Sequence, residues 1–351
     1  MRILGRDDVG AALAGLESTV LDAVRGAYLL HGDGHSRVPF STFLRPPQPS
    51  GSRVIALPAH LGGPHPVMGL KWISSFPANV ERGLQRASAV QILNDVETGY
   101  PSAVLEGSQV SAARTAASAA LASAVLRGGR SVRTVGLVGC GTINHRVIAY
   151  LALTHPEIET VVVRDVVPGR AEVFAAGLAA EYPRIAFWAG DLAEALGCDT
   201  VSVATTDSTY WLDLDGFPGG PAGQVILHLS LRDLSTGSVL GAYNVVDDTE
   251  HAVREQTSLH RAEQQEGHRE FVHAEIADLL GGRVRPPETD GPVVFSPFGL
   301  GILDLAVADA VLSAAARHGI GTEVAGFDPG GHRVTGPMAD EAAARKAGST
   351  A

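Results

Sequence analysis

The sequence predicts an α/β protein: a Rossmann-type, doubly wound dinucleotide domain joined to an α+β domain built on an antiparallel sheet. Three observations predict it. From Thr134 onward, short apolar runs alternate with helical stretches, the pattern of a parallel sheet covered on both faces. The apolar run Thr134–Val138 leads straight into Gly139-Cys140-Gly141 and then into a helix, a strand–glycine–helix order that suits a dinucleotide. Before Ser111, strand-like runs follow one another without intervening helices and are separated by turn residues, which describes antiparallel pairing.

The elements follow in order. The first thirty residues read as one amphipathic helix capped by Asp7 or Asp8, with Val9, Leu13, Leu16, Val20, Val24 and Ala27 at helical spacing. A Gly- and Pro-rich polar loop covers 32–52. Strand-like runs occupy 53–59, 66–76 and 87–95, the turn residues 94–101 follow, and 102–106 is the return strand. An Ala-rich helix over 111–126 ends at Gly128-Gly129. Strands then fall at 134–138, 160–164, 185–188, 201–204 and 225–229, with helices at 142–154 and 169–181. The last long helix, 301–318, is expected to pack back on the first domain. Beyond about Gly321 the chain loses apolar periodicity and reads as a mobile tail. A chain of 351 residues exceeds one ordinary core, so two domains are expected: 1–113 with 310–351 for substrate binding and dimerisation, and 114–309 for the dinucleotide. No internal repeat is present.

Charge and composition exclude several functions. A net charge of −11 leaves no basic stripe for nucleic acid, although a few arginines can build a local positive pocket in an acidic protein. Cys140 and Cys198 form no C-x-x-C pair, and nothing else indicates an oxidising compartment. The start of the chain has no secretory pattern, and no apolar run approaches the ~20 residues that span a bilayer, so a cytoplasmic protein without a membrane partner is expected. The 13 histidines are scattered without an H-E-x-x-H, so no metal site is expected.

The glycine segment carries the clearest chemistry. Gly139 allows a tight turn and Gly141 lets backbone approach a diphosphate, while Thr142 and Ile143 open a helix whose N–H groups and dipole favour an anion. Asn144 stands where the third glycine of the usual pattern would be. Asp165 ends the next strand, near the spacing of ~20 residues at which an acid meets the adenosine ribose. A carboxylate there accepts hydrogen bonds from the ribose hydroxyls and repels a 2′-phosphate, which favours NAD over NADP; Arg164 and Arg170 keep NADP open. The competing reading is a βαβ unit whose glycines serve only packing. Thr205-Thr206, after a strand end, can line the same cleft.

Several further stretches bear on the activity: Gly69-Leu70-Lys71-Trp72, the segment from Asp95 to Pro101, Ser111-Ala112-Ala113-Arg114-Thr115-Ala116-Ala117, Ser230-Leu231-Arg232-Asp233 and Ser296-Pro297-Phe298-Gly299. With the glycine segment they resemble the ornithine cyclodeaminase/mu-crystallin family, from about Arg2 to about His318. The stretches Lys71 to Pro77, Ser41 to Arg45, Leu231 to Ser235 and Ser296 to Leu305 are most similar to one branch of it. That resemblance implies an NAD-dependent enzyme that oxidises the glutamate side of N-(2-amino-2-carboxyethyl)-L-glutamate and hydrolyses the imine. The products would be 2,3-diaminopropionate, 2-oxoglutarate and NADH. It also implies a homodimer paired through the sheet-bearing N-terminal domain. The alternatives are an ornithine or lysine cyclodeaminase, a ketimine or opine-type reductase, and a cofactor-bound binding protein without turnover.

The same resemblance implies site residues. Arg45, Lys71 and Arg114 would meet substrate carboxylates, with Arg37 and Arg53 competing for the place of Arg45; planar guanidinium suits a carboxylate. On spacing alone Lys71 is a solvated strand lysine and Arg114 a surface residue; in the family reading Lys71 holds a carboxylate or relays a proton, its pKa lowered by burial. Asp233, at the carboxyl end of a strand, would be the acid–base group, although isolated aspartates in turns are commonly caps. Arg232 would meet an extra carboxylate unless strand alternation points it away. Thr115 and Ser296 would contact the cofactor. Asp207, Asp247 and Asp248 read as turn residues.

Overall fold

The computed structural model describes residues 1–49, 51–216 and 220–327. The chain opens with β1 (Arg2–Leu4), α1 (Arg6–Leu13) and α2 (Glu17–Gly32). The single helix expected here is thus two, broken at Ala14-Gly15, where Gly15 has φ +75°, a left-handed conformation that costs glycine little. Val9, Leu13, Val20, Val24 and Ala27 keep a common buried side across the break, which is why the periodicity reads as continuous. Asp8 contributes from inside the first turn, its carboxylate accepting the Gly5 N–H at 3.0 Å.

Two short strands, β2 (Ser36–Arg37) and β3 (Thr42–Leu44), interrupt the polar loop. The strands β4 (Arg53–Leu61), β5 (Val67–Ser75), β6 (Ala87–Asn94) and β7 (Pro101–Glu106) then pair antiparallel in sequence. Their alternation is clean: Lys71, Ala89, Gln91, Leu93, Ala103 and Leu105 are buried on one face, and Trp72, Ser88 and Val90 are exposed on the other. Next comes α3 (Gly107–Leu126), a helix of small residues buried on nearly every side.

The second half runs β8 (Thr134–Val138), α4 (Thr142–Thr154), β9 (Thr160–Arg164), α5 (Arg170–Glu181), β10 (Ala186–Ala189), α6 (Leu192–Leu196), β11 (Thr200–Val203) and β12 (Val225–His228). It continues with α7 (Thr236–Leu240), β13 (Tyr243–Val246), α8 (Thr249–Ala252), α9 (Ser258–Glu266), β14 (Val272–Glu275), α10 (Ile276–Leu280), β15 (Val293–Phe295), α11 (Gly301–His318) and β16 (Thr322–Glu323). The sheet order is β10-β9-β8-β11-β12-β15-β13-β14, with every pairing parallel. Its first five strands have the doubly wound order that reverses beside β8, so the crevice between the carboxyl ends of β8 and β11 is the expected ligand position.

The other sheet has the order β16-β1-β7-β6-β5-β4-β2, with β3 also on β4. Residues 322–323, within the expected mobile tail, pair antiparallel with β1, and Arg2 forms an ion pair with Glu323 at 2.7 Å. The remainder of that tail, from 328, lies outside the described residues. α11 lies against α1, α2 and α3 and against β4, β5 and β6. The expected domain boundaries at 113/114 and 309/310 both fall inside unbroken helices, α3 and α11. A chain crossing between units inside a helix leaves no linker composition to read. One hydrophobic cluster accordingly runs from Val20 and Leu105 through Ala116 and Val311 to Val135 and Phe295. Among the described residues no helix is long and apolar enough to cross a membrane, and no group of three or more His, Cys, Asp or Glu is arranged to hold a metal ion.

Candidate active site

The cofactor cleft is built where β8 meets α4. Gly139 has φ +97°, and a Cβ there would lie 2.4 Å from the Ala204 carbonyl oxygen at the end of β11, so the position excludes a side chain. A Cβ on Gly141 would point into open space, and no side chain caps α4, which leaves the N-terminal turn free to face an anion. Thr142 is exposed there, and Ile143 packs against the core. Asn144, which replaces the third glycine, is fully buried. Its amide donates to the carbonyls of Val138 and Gly139 at 3.0 and 2.7 Å, and its oxygen accepts from Ser202 on β11 at 2.7 Å. A side-chain clamp therefore fixes the glycine turn to both strands of the crevice. Asp165 follows β9 directly and turns onto the same loop, its carboxylate accepting the Cys140 N–H at 2.9 Å. Burial, with Asp165 adjacent, pushes the Cys140 thiol up to about 12, so it carries no thiolate chemistry. Both cysteines are free.

A second cluster joins the two sheets. Lys71 comes from the middle of β5, Arg114 from the first half of α3, and Asp304 from the first turn of α11. The Lys71 ammonium donates to Asp304 Oδ2 at 2.6 Å, and the Arg114 Nε donates to Asp304 Oδ1 at 3.1 Å. Both cations also reach the Ser111 hydroxyl, at 3.3 and 3.4 Å. Lys71 is 2% exposed, Arg114 9% and Asp304 0%. Burial draws the Lys71 ammonium down to about 8, against the opposing pull of Asp304. The two cations hold the Asp304 carboxyl below the usual range despite its burial. Arg114 lies against Gly299 of the turn that follows β15, and Asp247 pins that turn by accepting the N–H groups of Phe298 and Gly299 at 2.8 and 2.7 Å. The cluster thus stands at the carboxyl end of the parallel sheet.

Asp233 lies at the centre of a buried hydrogen-bonded group. It is 0% exposed, and its carboxylate accepts from Thr205 and Trp211 on one oxygen and from Ser230 on the other, with His228 Nε2 3.2 Å from that second oxygen. Hydrogen bonds from His228, Ser230 and Thr205, with the charge of His228, outweigh burial and lower its pKa. A carboxylate with a lowered pKa is a weaker base, and these contacts tie Asp233 to the loop after β11. His228 continues the chain of contacts, its Nδ1 lying 3.0 Å from the Ser296 hydroxyl. Ser296 is therefore buried and engaged with His228, and the Thr115 hydroxyl donates back to the Ser111 carbonyl at 2.7 Å.

The arginines also divide. Arg45 stands apart from Lys71 and Arg114: it is largely exposed and pairs with Glu255 at 2.5 Å. Arg37 donates to the carbonyls of Gly34 and Ser36 in its own loop. Arg53 and Arg232 line a cavity with Arg45; Arg232 faces that cavity while Asp233 turns inward. Of the aspartates read as turn residues, Asp207 makes such a turn with Thr209, and Asp248 caps α8 and bonds His31; buried Asp247 does more, as described above.

Residues 7–213 match the pattern of the ornithine cyclodeaminase/mu-crystallin family. The chain belongs to that family. It is 30% identical over 336 residues to N-((2S)-2-amino-2-carboxyethyl)-L-glutamate dehydrogenase of Staphylococcus aureus, an alignment covering 92% of this chain and 97% of that relative. A solved structure of Thermococcus litoralis Delta(1)-pyrroline-2-carboxylate reductase in complex with NADH and L-proline is 25% identical, with a TM-score of 0.84 over 92% of this chain and 100% of that one. An archaeal alanine dehydrogenase dimer with bound NAD is 27% identical, with a TM-score of 0.82 over 92% of this chain and 98% of that one.

For a family member, the residues that sequence reasoning missed are informative. Asp304 had a signal: a lone acid within Gly301-Ile302-Leu303-Asp304-Leu305-Ala306-Val307 must be paired if the helix is buried. Gln91 sits directly across from Lys71 in the β5–β6 register, fully buried, and neither its amide nitrogen nor its oxygen has a partner among the described residues. Glu255 gave no sequence signal, since its role depends on which arginines surround it.

Proposed function

We propose that this chain is an NAD-dependent oxidoreductase of amino-acid carbon–nitrogen bonds, and that it converts N-(2-amino-2-carboxyethyl)-L-glutamate to 2,3-diaminopropionate and 2-oxoglutarate. The observation that carries the reading is the buried Lys71–Asp304–Arg114 cluster at the carboxyl end of the parallel sheet, where doubly wound folds bring ligand and cofactor together. The similarity to the Staphylococcus aureus enzyme over nearly the whole chain supports the substrate.

The residues present fit NAD. Gly139, Gly141 and the uncapped start of α4, with Thr142 and Ile143, would hold the diphosphate, and Asp165 the ribose hydroxyls. When bound, NAD supplies the two-electron acceptor. Arg114 binds a substrate carboxylate through its planar guanidinium. Lys71, drawn toward neutrality, takes the proton that the substrate nitrogen must lose before oxidation and returns one to the departing amine. Asp233, through Thr205 and Trp211, positions the loop over the site. The arginine-lined cavity beside Arg232 disfavours the cationic side chain of ornithine.

The direct test is incubation with NAD and the proposed amine, followed by NADH absorbance and mass analysis. Stoichiometric NADH and 2-oxoglutarate are expected. Conversion of ornithine to a cyclic product without net NADH would replace this reading with a cyclodeaminase. Asp165→Ala is expected to weaken NAD by tenfold or more, the loss of charge-assisted bonds worth ~1.5–3 kcal/mol, and NADP much less. Titration of both nucleotides checks this, and equal weakening would remove Asp165 from the ribose.

We also propose a homodimer through the open face of the antiparallel sheet, where Trp72 and Val90 are 44% and 41% exposed and cross-strand neighbours, with Leu70, Ile92 and Val104 on the same face. Trp72→Arg is expected to yield a monomer in sedimentation at concentrations where the parent is a dimer; an unchanged mass would move the interface elsewhere.

A further inference from the structure

We propose that Arg45, Arg53 and Arg232 form a subsite for the substrate carboxylate farthest from the reacting nitrogen, and that Glu255 is an internal carboxylate which occupies the subsite until substrate displaces it. The proposal rests on the functional reading above and extends it to what selects the substrate.

The cavity has a volume of about 290 Å³ and opens between the β3–β4 end of the antiparallel sheet and the loops after β11 and α8. Three guanidinium groups line it against one carboxylate. Glu255 serves two of them: its side chain pairs with Arg45 at 2.5 Å, and its backbone carbonyl accepts from Arg232 at 2.6 Å. Among the described residues Arg53 makes no ion pair and its buried Nε has no hydrogen-bond partner. Arg86 stands behind Arg53 and contributes further positive potential. Burial, then Arg232 and Arg45, lower the pKa of Arg53, the mark of cations crowded without enough counter-charge. A structural ion-pair network would be balanced, because an unpaired buried charge is costly. This one is left short of negative charge beside a space that can admit more.

The backbone points to the same place. Among the described residues the non-glycine positions with positive φ are Tyr210, Leu231, Glu255 and Gln256, at 58°, 69°, 55° and 56°. Three of them line the cavity and Leu231 precedes Arg232. Such conformations persist where the surroundings over-determine them, and they cluster at ligand clamps. Tyr210 closes the ring, its hydroxyl donating to the Gln256 carbonyl at 2.6 Å.

Position fits as well. Arg53 pairs with Ser75 across β4 and β5, on the same face as Lys71 and four residues farther along the strand, ~13 Å away. An arginine side chain and an extended diacid together bridge that gap. An incoming carboxylate that takes the place of the Glu255 head preserves the ion pair, and Arg53 supplies the cation that Glu255 does not satisfy. The ligand class is an amino-acid derivative with a carboxylate beyond the one held at Arg114.

The test uses the NAD-loaded protein and two readouts. In calorimetry with glutarate as the probe, the parent protein is expected to bind, Arg53→Gln to bind at least tenfold more weakly, and Glu255→Gln at least threefold more tightly. In steady-state kinetics, the preference for the full amine over an analogue lacking the distal carboxylate, as a ratio of kcat/KM, is expected to fall at least tenfold in Arg53→Gln. Arg45→Gln, a change at an exposed side chain, repeats both measurements should Arg53→Gln fold poorly. Glutarate binding indifferent to Arg53 and Arg45, or weakened by Glu255→Gln, overturns the subsite even if the amine is oxidised. Arginine-dependent glutarate binding without amine oxidation upholds the subsite and overturns the reaction assigned above.

Discussion

Lys71→Gln is expected to lower amine oxidation by about two to four orders of magnitude, the usual scale for a group that moves a proton in the rate-determining step. The side chain sits at 2% exposure between Asp304 and Ser111, and burial brings its pKa to about 8. For a substrate amine to be oxidised its nitrogen must be unprotonated, so the neutral form of Lys71 is the active one in that direction. Turnover should therefore rise with pH through about 8 and level off above it. The glutamine keeps the shape and a donor for Asp304 but cannot titrate, and that rising limb should vanish with it. NAD affinity should stay at the parent value, because Lys71 bonds Asp304 and Ser111 and neither the glycine loop nor Asp165. Stopped-flow turnover across pH 6 to ~10 checks both. Turnover within threefold of the parent, or an unchanged pH profile, would assign proton transfer to another group.

The glycine turn was legible because its physics is local. A strand, a glycine with φ +97°, an uncapped helix start and an acid on the next strand all lie within one βαβ unit. The antiparallel strands were legible for a similar reason, since a half-buried sheet writes its period directly into the sequence. By contrast, β13, β14 and β15 have three or four residues each and α7, α8 and α10 four or five, too short for any period to emerge. The candidate site was legible in part. Lys71, Arg114, Asp165 and the glycines carried family signals, yet their partners did not. Lys71 and Arg114 are meaningful together only because Asp304, 190 residues after Arg114, is brought between them by α11. The surroundings of Asp233 were less legible. Its position at a strand end suggested a base; His228 and Ser230 lie close to it in sequence, but Thr205 and Trp211 reach it from the loop after β11, and contacts across 28 and 22 residues are invisible to spacing. The family resemblance grouped Arg45 with Lys71 and Arg114; the short strand β3 carries it to Glu255.

Asp304→Ala is expected to be the most damaging single substitution outside the glycine loop. The carboxylate is the shared counter-ion of two cations that are nearly excluded from water. It stands in the first turn of α11, where the helix dipole also favours negative charge. Removing it leaves an ammonium and a guanidinium buried side by side, with the Ser111 hydroxyl as their common remaining acceptor. Breaking one member out of such a group typically costs ~3–5 kcal/mol, a large part of the ~5–15 kcal/mol that holds an ordinary protein folded. Denaturant titration should show that loss, and the protein that does fold should have lost turnover. Stability alone would not separate a scaffold from a site, so a second variant is needed. The triple change Lys71→Met, Arg114→Met and Asp304→Leu removes all three charges and fills the space with apolar atoms, which is commonly neutral or stabilising for a buried ion cluster. It is expected to recover most of the folding free energy and none of the activity, while NAD still binds. If the single Asp304→Ala protein unfolds within ~1 kcal/mol of the parent, the cluster is not desolvated as the geometry requires. If the triple variant turns over the amine, the cluster is structural only, and the chemistry belongs to residues on the Asp233 side of the cleft.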